Sequence, residues 1–174
     1  LDANNDGYLD LYVGGYGHLL TTPNNSWVNA TNGAADALYL NQGGRSFRRT
    51  DAINGNGFTY AAGAVDIDHD GQQDIYAGHD FGPNALYRNV NGSFTNTAKD
   101  RGVQAPGNAM GVTFADFDSD GGLDLIVTHM SSTAGDRILR HVQDELPAEH
   151  LVSLRPFASG NAILLRRGET FVPL

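Results

Sequence analysis

Aspartates recur at alternate positions in three short stretches of the sequence, DANNDGYLD, DIDHDGQQD and DFDSDGGLD. In each stretch, oxygen-bearing side chains stand at positions one, three, five and nine, and a glycine stands at position six. When the backbone folds around one point, these side chains and the carbonyl of position seven can converge there. Hard oxygen ligands in a flexible loop favour Ca²⁺ over zinc, copper or the geometrically stricter Mg²⁺. The spacing therefore predicts three calcium loops.

We call these stretches loop one (2–10), loop two (66–74) and loop three (116–124). A backbone that wraps an ion needs a left-handed residue or a close approach, which explains the glycines Gly7, Gly71 and Gly121. We expect loop one to bind calcium most weakly, because its position three is a neutral asparagine. The predicted ligands are Asp2, Asn4, Asp6, the Tyr8 carbonyl and Asp10; Asp66, Asp68, Asp70, the Gln72 carbonyl and Asp74; and Asp116, Asp118, Asp120, the Gly122 carbonyl and Asp124.

The aspartate spacing has two other interpretations, an EF-hand and solvated turns. An EF-hand needs a bidentate glutamate at position twelve, where this chain has Val13, Ala77 and Val127. Solvated turns also use aspartate and asparagine, but three copies in one register argue against turns alone. Without an ion, four neighbouring carboxylates would repel one another by several kcal/mol at intermediate dielectric. We therefore expect loose loops in the absence of calcium.

The composition limits the classes of partner. The net charge is −9, but eleven of the twenty acidic residues lie in the three loops, so the remainder of the chain is nearly neutral. The acidity is local, and nucleic acid is not an expected partner. Cysteine is absent, which excludes disulfides and thiolate metal sites. No apolar run is long enough for a transmembrane segment.

A second repeated phrase follows each loop: DALYLNQGGRSF, NALYRNVNGSF and NAILLRRGETF. In the middle copy, FTYAAGAV, DIYAG, ALYRN and SFTNT have the composition of four successive strands. Four antiparallel strands in about 50 residues is the pattern of a β-propeller blade. We expect an all-β fold of about three four-stranded blades within one partial propeller, 1–174, with repeat units near 1–50, 51–103 and 104–174.

Insertions between the second and third strands distinguish the units. They span about 14–35 in unit one and 129–160 in unit three, and the segment STAGDRILRHVQDEL within the latter predicts a short helix. Because the loops join strands one and two, both insertions emerge on the opposite face. Candidate ligand-binding residues expected to be exposed there are Tyr16, His18, Trp27, His79, Phe81 and His129. Packing of Trp27 and Phe81 against the insertions is the alternative to ligand contact for those two side chains.

His79 and His129 each stand five residues after the last loop aspartate. Repeat ancestry accounts for this placement without a second metal or a catalytic pair. Three N-x-S/T sequons offer possible glycosylation sites at Asn24, Asn29 and Asn91. The chain has neither a G-x-S-x-G nucleophile elbow nor a glycine-rich phosphate loop, so the expected function is not enzymatic.

The D-x-D-x-D-G-x-x-D stretches at 66–74 and 116–124, with the Asn4 variant at 2–10, resemble FG-GAP or VCBS-type calcium-binding repeats of integrin-α-like propellers. The phrases GPNALYRNVNGSF and AMGVTFADFDSDGGLDLIV are most similar to bacterial relatives of the cartilage acidic protein group. The FG-GAP phrase itself is degenerate, YAAGAV and NAMGVTF, which does not support the integrin subgroup. The sequence begins after the expected first strand of its first blade, and such rings usually have seven blades.

The resemblance implies a secreted or cell-surface scaffold for adhesion, in which about three structural Ca²⁺ ions, one per repeat, stabilise blades that bind a protein or glycan ligand. Extracellular calcium modules work at affinities of about 0.1 to 1 mM, which agrees with that location. Two alternatives remain open. The chain is a self-assembling subunit of a surface ring or filament, because a partial propeller exposes sheet edges to further copies of itself, or it is part of a secreted carbohydrate-active enzyme.

Overall fold

The computed structural model describes residues 1–17, 22–130 and 133–174, except the side chain of Thr133. Its strands form three antiparallel sheets in which consecutive strands are neighbours. The strands are β1 (Leu11–Val13), β2 (Ala37–Asn41) and β3 (Phe47–Thr50) in sheet one; β4 (Thr59–Val65), β5 (Asp74–His79), β6 (Ala85–Val90) and β7 (Ser93–Asn96) in sheet two; and β8 (Ala109–Ala115), β9 (Asp124–His129), β10 (Ala162–Arg167) and β11 (Thr170–Pro173) in sheet three. The helices are α1 (Ala98–Arg101), α2 (Thr133–Val142) and α3 (Ala148–Ser159).

The predicted all-β class of propeller blades is confirmed. Sheets two and three are four-stranded meanders, and sheet one has three strands in the described residues. The register is the same in the two complete blades, because Val65 lies opposite Asp74 and Ala115 lies opposite Asp124. Loops two and three therefore each close the first hairpin of a blade, and the insertions leave from the other end of the sheets.

Two apolar clusters lie between neighbouring blades. Ile75, Ala77 and Tyr87 of sheet two pack with Leu38 of sheet one. On the other side of sheet two, a second cluster joins it to sheet three, and its fully buried members include Ile67, Tyr76, Leu86, Val103, Leu125 and Val127. Strands whose alternate residues face two different neighbours are buried on both faces, as every residue of β5 is. The core is therefore a series of layers between blades, which fixes where each loop stands.

Both long insertions have ordered structure in their described parts. Insertion one packs on a small aromatic core in which Phe58, Phe81 and Ala30 are buried. Insertion three contains the predicted helix, α2, which ends at Val142, and also α3, which the sequence did not predict. Proline normally interrupts a helix, so Pro156 gave no reason to expect a helix at α3. Within the described residues, no helix is both long and apolar enough to cross a membrane.

Candidate metal centres

Each acidic loop turns through two left-handed residues, at positions four and six. The predicted role of the glycines at position six is confirmed by their positive φ angles, while the left-handed residues at position four were missed. Asparagine and histidine occur in this region more often than most residues, so Asn5 and His69 carried a weak signal, but Ser119 did not. The φ angles are 55°, 60° and 61° at Asn5, His69 and Ser119, and 85°, 84° and 87° at Gly7, Gly71 and Gly121.

The position-one carboxylate organises the backbone of each loop. In loop two, Asp66 Oδ1 accepts the Asp70 N–H at 3.0 Å, and Asp66 Oδ2 accepts the Gly71 N–H at 2.9 Å. The same pair of contacts is 3.0 Å and 3.0 Å in loop three, and 3.2 Å and 2.9 Å in loop one. Three copies of one hydrogen-bond pattern give all three loops the same shape.

Two of the loops bring three carboxylates together. In loop two, Asp66, Asp68 and Asp70 each offer an oxygen, and these oxygens lie within 4.8 Å of one another. Asp116, Asp118 and Asp120 form the same arrangement in loop three. Either triad could hold a metal ion. Loop one has an amide at position three, and Asn4 Nδ2 donates to Asp6 Oδ2 at 3.0 Å.

The chemistry of the triads fits calcium. All side-chain donors are oxygens, which Ca²⁺ prefers and zinc or copper does not. Asp68 Oδ1 is buried and accepts no hydrogen bond from any described residue. A buried carboxylate oxygen without a partner is costly, and a cation would relieve that cost. Calcium would therefore complete loop two, where Asp66, Asp68 and Asp70 would hold it.

The position-nine aspartates lie deeper than the triads. Asp74 is buried; its Oδ1 accepts the Asn89 N–H at 2.7 Å and its Oδ2 accepts the Ile67 N–H at 3.2 Å. Burial raises the pKa of Asp74 to about 6; the two backbone donors oppose this shift, and the charges of Asp68 and Asp70 add to it. The equivalent Asp10 and Asp124 are buried and accept the same two kinds of backbone donor. Each carboxylate oxygen has two lone pairs, so an oxygen that accepts a backbone N–H can still bind an ion. Ligation by the position-nine aspartates therefore stays a prediction.

The predicted ligand face is only partly exposed. Trp27 is 72% exposed and Tyr16 is half-buried, but Phe81, His79 and His129 are buried, so the prediction that those three are exposed was wrong. The Trp27 ring meets the Phe81 ring edge-on with centroids 5.3 Å apart. Phe81 is not available to a ligand, because its ring packs into the core beneath insertion one. His18 lies outside the described residues.

The two histidines are buried because the sheet ends close over them. His79 Nδ1 lies 2.6 Å from the Pro83 carbonyl oxygen, and His129 Nδ1 lies 2.9 Å from that of Gly160. A side chain at Gly57 would collide with the His79 ring, and burial lowers the pKa of His79. These contacts hold the insertions in place and leave the two rings away from solvent.

In each unit, one side chain that the sequence did not single out closes the connection between the second and third strands. Asn84 Oδ1 accepts the His79 N–H at 2.8 Å, and Asn161 Oδ1 accepts the His129 N–H at 3.0 Å. In unit one, Asp36 Oδ1 accepts the Gly15 N–H at 2.8 Å. These residues begin the repeated phrases DAL, NAL and NAI, so the repeat itself carried the signal. Of the three sequons, Asn29 and Asn91 are exposed and Asn24 is half-buried, and their glycosylation stays a prediction.

Comparison with known families agrees with the repeated loops. The sequence profile of the FG-GAP-like repeat matches residues 2–77 and, overlapping, residues 66–127. Together these matches contain all three acidic loops, the β4–β5 hairpin and the β8–β9 hairpin as far as Val127. No curated protein matches the sequence. With more than half of its 174 residues covered by this profile, the chain belongs to the FG-GAP-like repeat family.

Proposed function

We propose that this chain is a calcium-binding β-propeller scaffold that works outside the cell in adhesion or in binding a protein or glycan. The observation that carries the proposal is the repeated triad, Asp66 with Asp68 and Asp70 and its copy in loop three, held by one pattern of backbone hydrogen bonds. Within its family we place the chain with the VCBS-type, cartilage acidic protein-like members. Its 174 residues form one partial propeller, with units near 1–50, 51–103 and 104–174.

The role we assign to calcium is structural, with one ion in each loop and ligands at positions one, three, five, seven and nine. When bound, the ion supplies positive charge that cancels the repulsion among the carboxylates. The side chains hold the loop backbone in shape, since positions one and five each accept backbone N–H groups. A pinned loop fixes the first hairpin of its blade and, through β5 and β9, the end of the sheet that carries the insertions.

The binding surface we assign is the insertion end of the blades. Four aromatic rings follow one another there, from the exposed Trp27 through Phe81 and Tyr16 to the exposed Tyr60, with neighbouring centroids 5.3, 6.4 and 5.9 Å apart. Exposed aromatic rings are common anchors in binding sites. Screening immobilised chain against glycans and proteins, with Trp27→Ala as the matched variant, tests this surface. A ligand bound equally well by both forms would place the binding site elsewhere.

A non-catalytic role is the one we favour, and a part of a secreted carbohydrate-active enzyme is the alternative. The regular repetition of the carboxylates favours metal ligation over acid and base catalysis. A glycosidase would need one pair of carboxylates of unequal pKa in a cleft, whereas here the same triad occurs in two neighbouring blades.

Thermal melts of the full chain in EGTA and in about 1 mM calcium, the range of extracellular modules, test the calcium role. We expect calcium to raise the melting temperature, and Asp120→Ala to lose stability in calcium but little in EGTA. Asp136→Ala, which removes an exposed carboxylate from α2, is the matched control and should lose little in either. No calcium shift in the parent chain, or an equal loss for Asp120→Ala in both solutions, would rule out structural calcium at loop three.

A further inference from the structure

Loop two differs from loop three in the arginines that contact it. Arg88 Nε and Nη2 each lie 2.7 Å from Asp68 Oδ2, and Arg101 Nη2 lies 3.5 Å from the same oxygen. In loop three, Arg167 contacts Asp118 at 2.7 Å and Asp120 at 3.1 Å, and no other described arginine forms an ion pair there. Two cations therefore stand at one triad and one cation stands at the other.

Arg101 is also the arginine that cannot move away. Its side chain is only 8% exposed, whereas the side chains of Arg88 and Arg167 are 39% and 44% exposed. It belongs to the short helix α1, which packs between β6 of sheet two and β11 of sheet three. Arg88 and Arg167 can turn into solvent when an ion arrives, but Arg101 stays beside the loop unless α1 is displaced.

The second contact of Arg101 reaches the next blade. The same Nη2 atom lies 2.9 Å from Glu169 Oε2, in the turn between β10 and β11. Asp68, Arg101 and Glu169 thus form a chain of charges from loop two to sheet three. Arg101 Nη1 is buried without a hydrogen-bond partner in the described residues, and so is Asp68 Oδ1. An ion at loop two would bind Asp68 Oδ1, while the Arg101 guanidinium would remain in contact with Asp68 Oδ2.

We propose that Arg101 is a fixed counter-cation of loop two, which lowers the calcium affinity of that loop below that of loop three and joins the loop to hairpin β10–β11 without an ion. The proposal rests on the proposed function, since it concerns how strongly one calcium loop binds. Its reason is electrostatic: a positive charge held beside the triad opposes a second cation and offsets the carboxylate repulsion that the ion would otherwise cancel. Loop two is therefore the less calcium-dependent of the two triads.

Calorimetric titration of calcium into the full chain with loops one and three disabled, by Asp6→Ala and Asp120→Ala, isolates loop two. In this background we expect Arg101→Met, which keeps an apolar stem in the buried position, to tighten calcium binding by on the order of tenfold. The same substitution should lower the melting temperature in EGTA and enlarge the upward shift caused by calcium. A merely structural arginine would lower stability equally in both solutions and leave the affinity unchanged.

Three variants control the interpretation. Arg101→Lys keeps the charge and should keep the weak binding of the background, while Arg101→Gln removes the charge but keeps a donor, and gives the answer if the methionine variant does not fold. Arg140→Met removes an exposed positive charge on α2, far from any loop, and should change nothing. Unchanged affinity in both uncharged variants, or an equal change with Arg140→Met, overturns the proposal.

The two proposals can fail separately. Loop three, titrated in a chain that carries Asp6→Ala and Asp70→Ala, reports on calcium binding itself. If loop three binds calcium and the uncharged Arg101 variants leave loop two unchanged, the role of Arg101 is refuted and the calcium scaffold stands. If neither loop three nor loop two binds calcium, the calcium-scaffold proposal is refuted.

Discussion

The aspartates of each loop divide into two groups by their surroundings. Asp116 and Asp120 of loop three are exposed, and their oxygens accept hydrogen bonds from the loop itself. Asp124 is fully buried; its two oxygens accept the N–H groups of Phe117 at 2.8 Å and Arg166 at 2.7 Å. The same carboxylate type therefore stabilises the blade at position nine and shapes the loop backbone at positions one and five.

At the residue scale, we expect Asp124→Asn to lower the free energy of unfolding in EGTA by about 1–3 kcal/mol, because the amide NH₂ would replace an oxygen that now accepts a buried backbone N–H and would leave that donor unpaired. Asp120→Asn, at a half-exposed side chain, should cost less than about 0.5 kcal/mol under the same conditions. Urea unfolding of both variants in EGTA measures the difference. Equal losses would mean that position nine has no structural role apart from the ion.

Insertion three is attached to its blade through few groups. The described residues of α2 and α3 pack against each other, and α3 has no buried residue. The insertion is closed on the sheet by the contacts of His129 with Asn161 and Gly160. In unit two, His79 makes the same contacts with Asn84 and Pro83, although only four residues, 80–83, connect it to Asn84. The contacts that close the connection on the sheet are therefore made without either helix.

At the scale of elements, we expect residues 130–160 to be replaceable by the four residues of unit two, 80–83, with retention of the fold. The proline carbonyl would take the place of Gly160 as the partner of the His129 ring, so the stability loss should stay within about 1 kcal/mol. Circular dichroism and a thermal melt of the shortened chain test this expectation. A chain that no longer unfolds cooperatively would show that α2 and α3 support the sheets.

At the scale of the whole molecule, each of the three described sheets ends in edge strands that pair on one side only within the described residues. In the described residues β1 pairs with β2 alone, and Leu11 and Val13 on β1 are about half exposed. An apolar edge strand is a template for pairing with another chain. β1 is therefore one edge at which a further copy of this chain can pair.

At this scale, we expect the purified chain to self-associate through β1 whether calcium is present or not. Val13→Lys should weaken the association by on the order of tenfold, because a charge on an edge strand opposes pairing. Val90→Lys, at an equally exposed valine on β6 away from β1, is the matched control. Sedimentation over a range of concentrations measures both, and a response to Val90→Lys equal to that of Val13→Lys would remove β1 as the contact.

Much of the blade could be predicted from the sequence because its determinants are local. Alternating strand residues, the glycine at loop position six and the repeat of about 50 residues each act within one hairpin or one unit. The triads were also predictable, since 1-3-5 spacing in a tight turn leaves the carboxylates little choice but to meet. The second helix was missed because Pro156 contradicts its local pattern, and tertiary context decided the outcome.

Contacts between units had no comparable signal. His79 and His129 have polar side chains that suggest exposure, but a glycine from another segment, Gly57 or Gly107, makes room for each ring under the sheet end. Arg101 lies 33 residues from Asp68 and 68 from Glu169, so no local pattern joins the three. The blades and their acidic loops could be predicted because short-range geometry fixes them. Which charges meet across blades, and which side chains reach solvent, became visible only in the folded chain because long-range packing sets both.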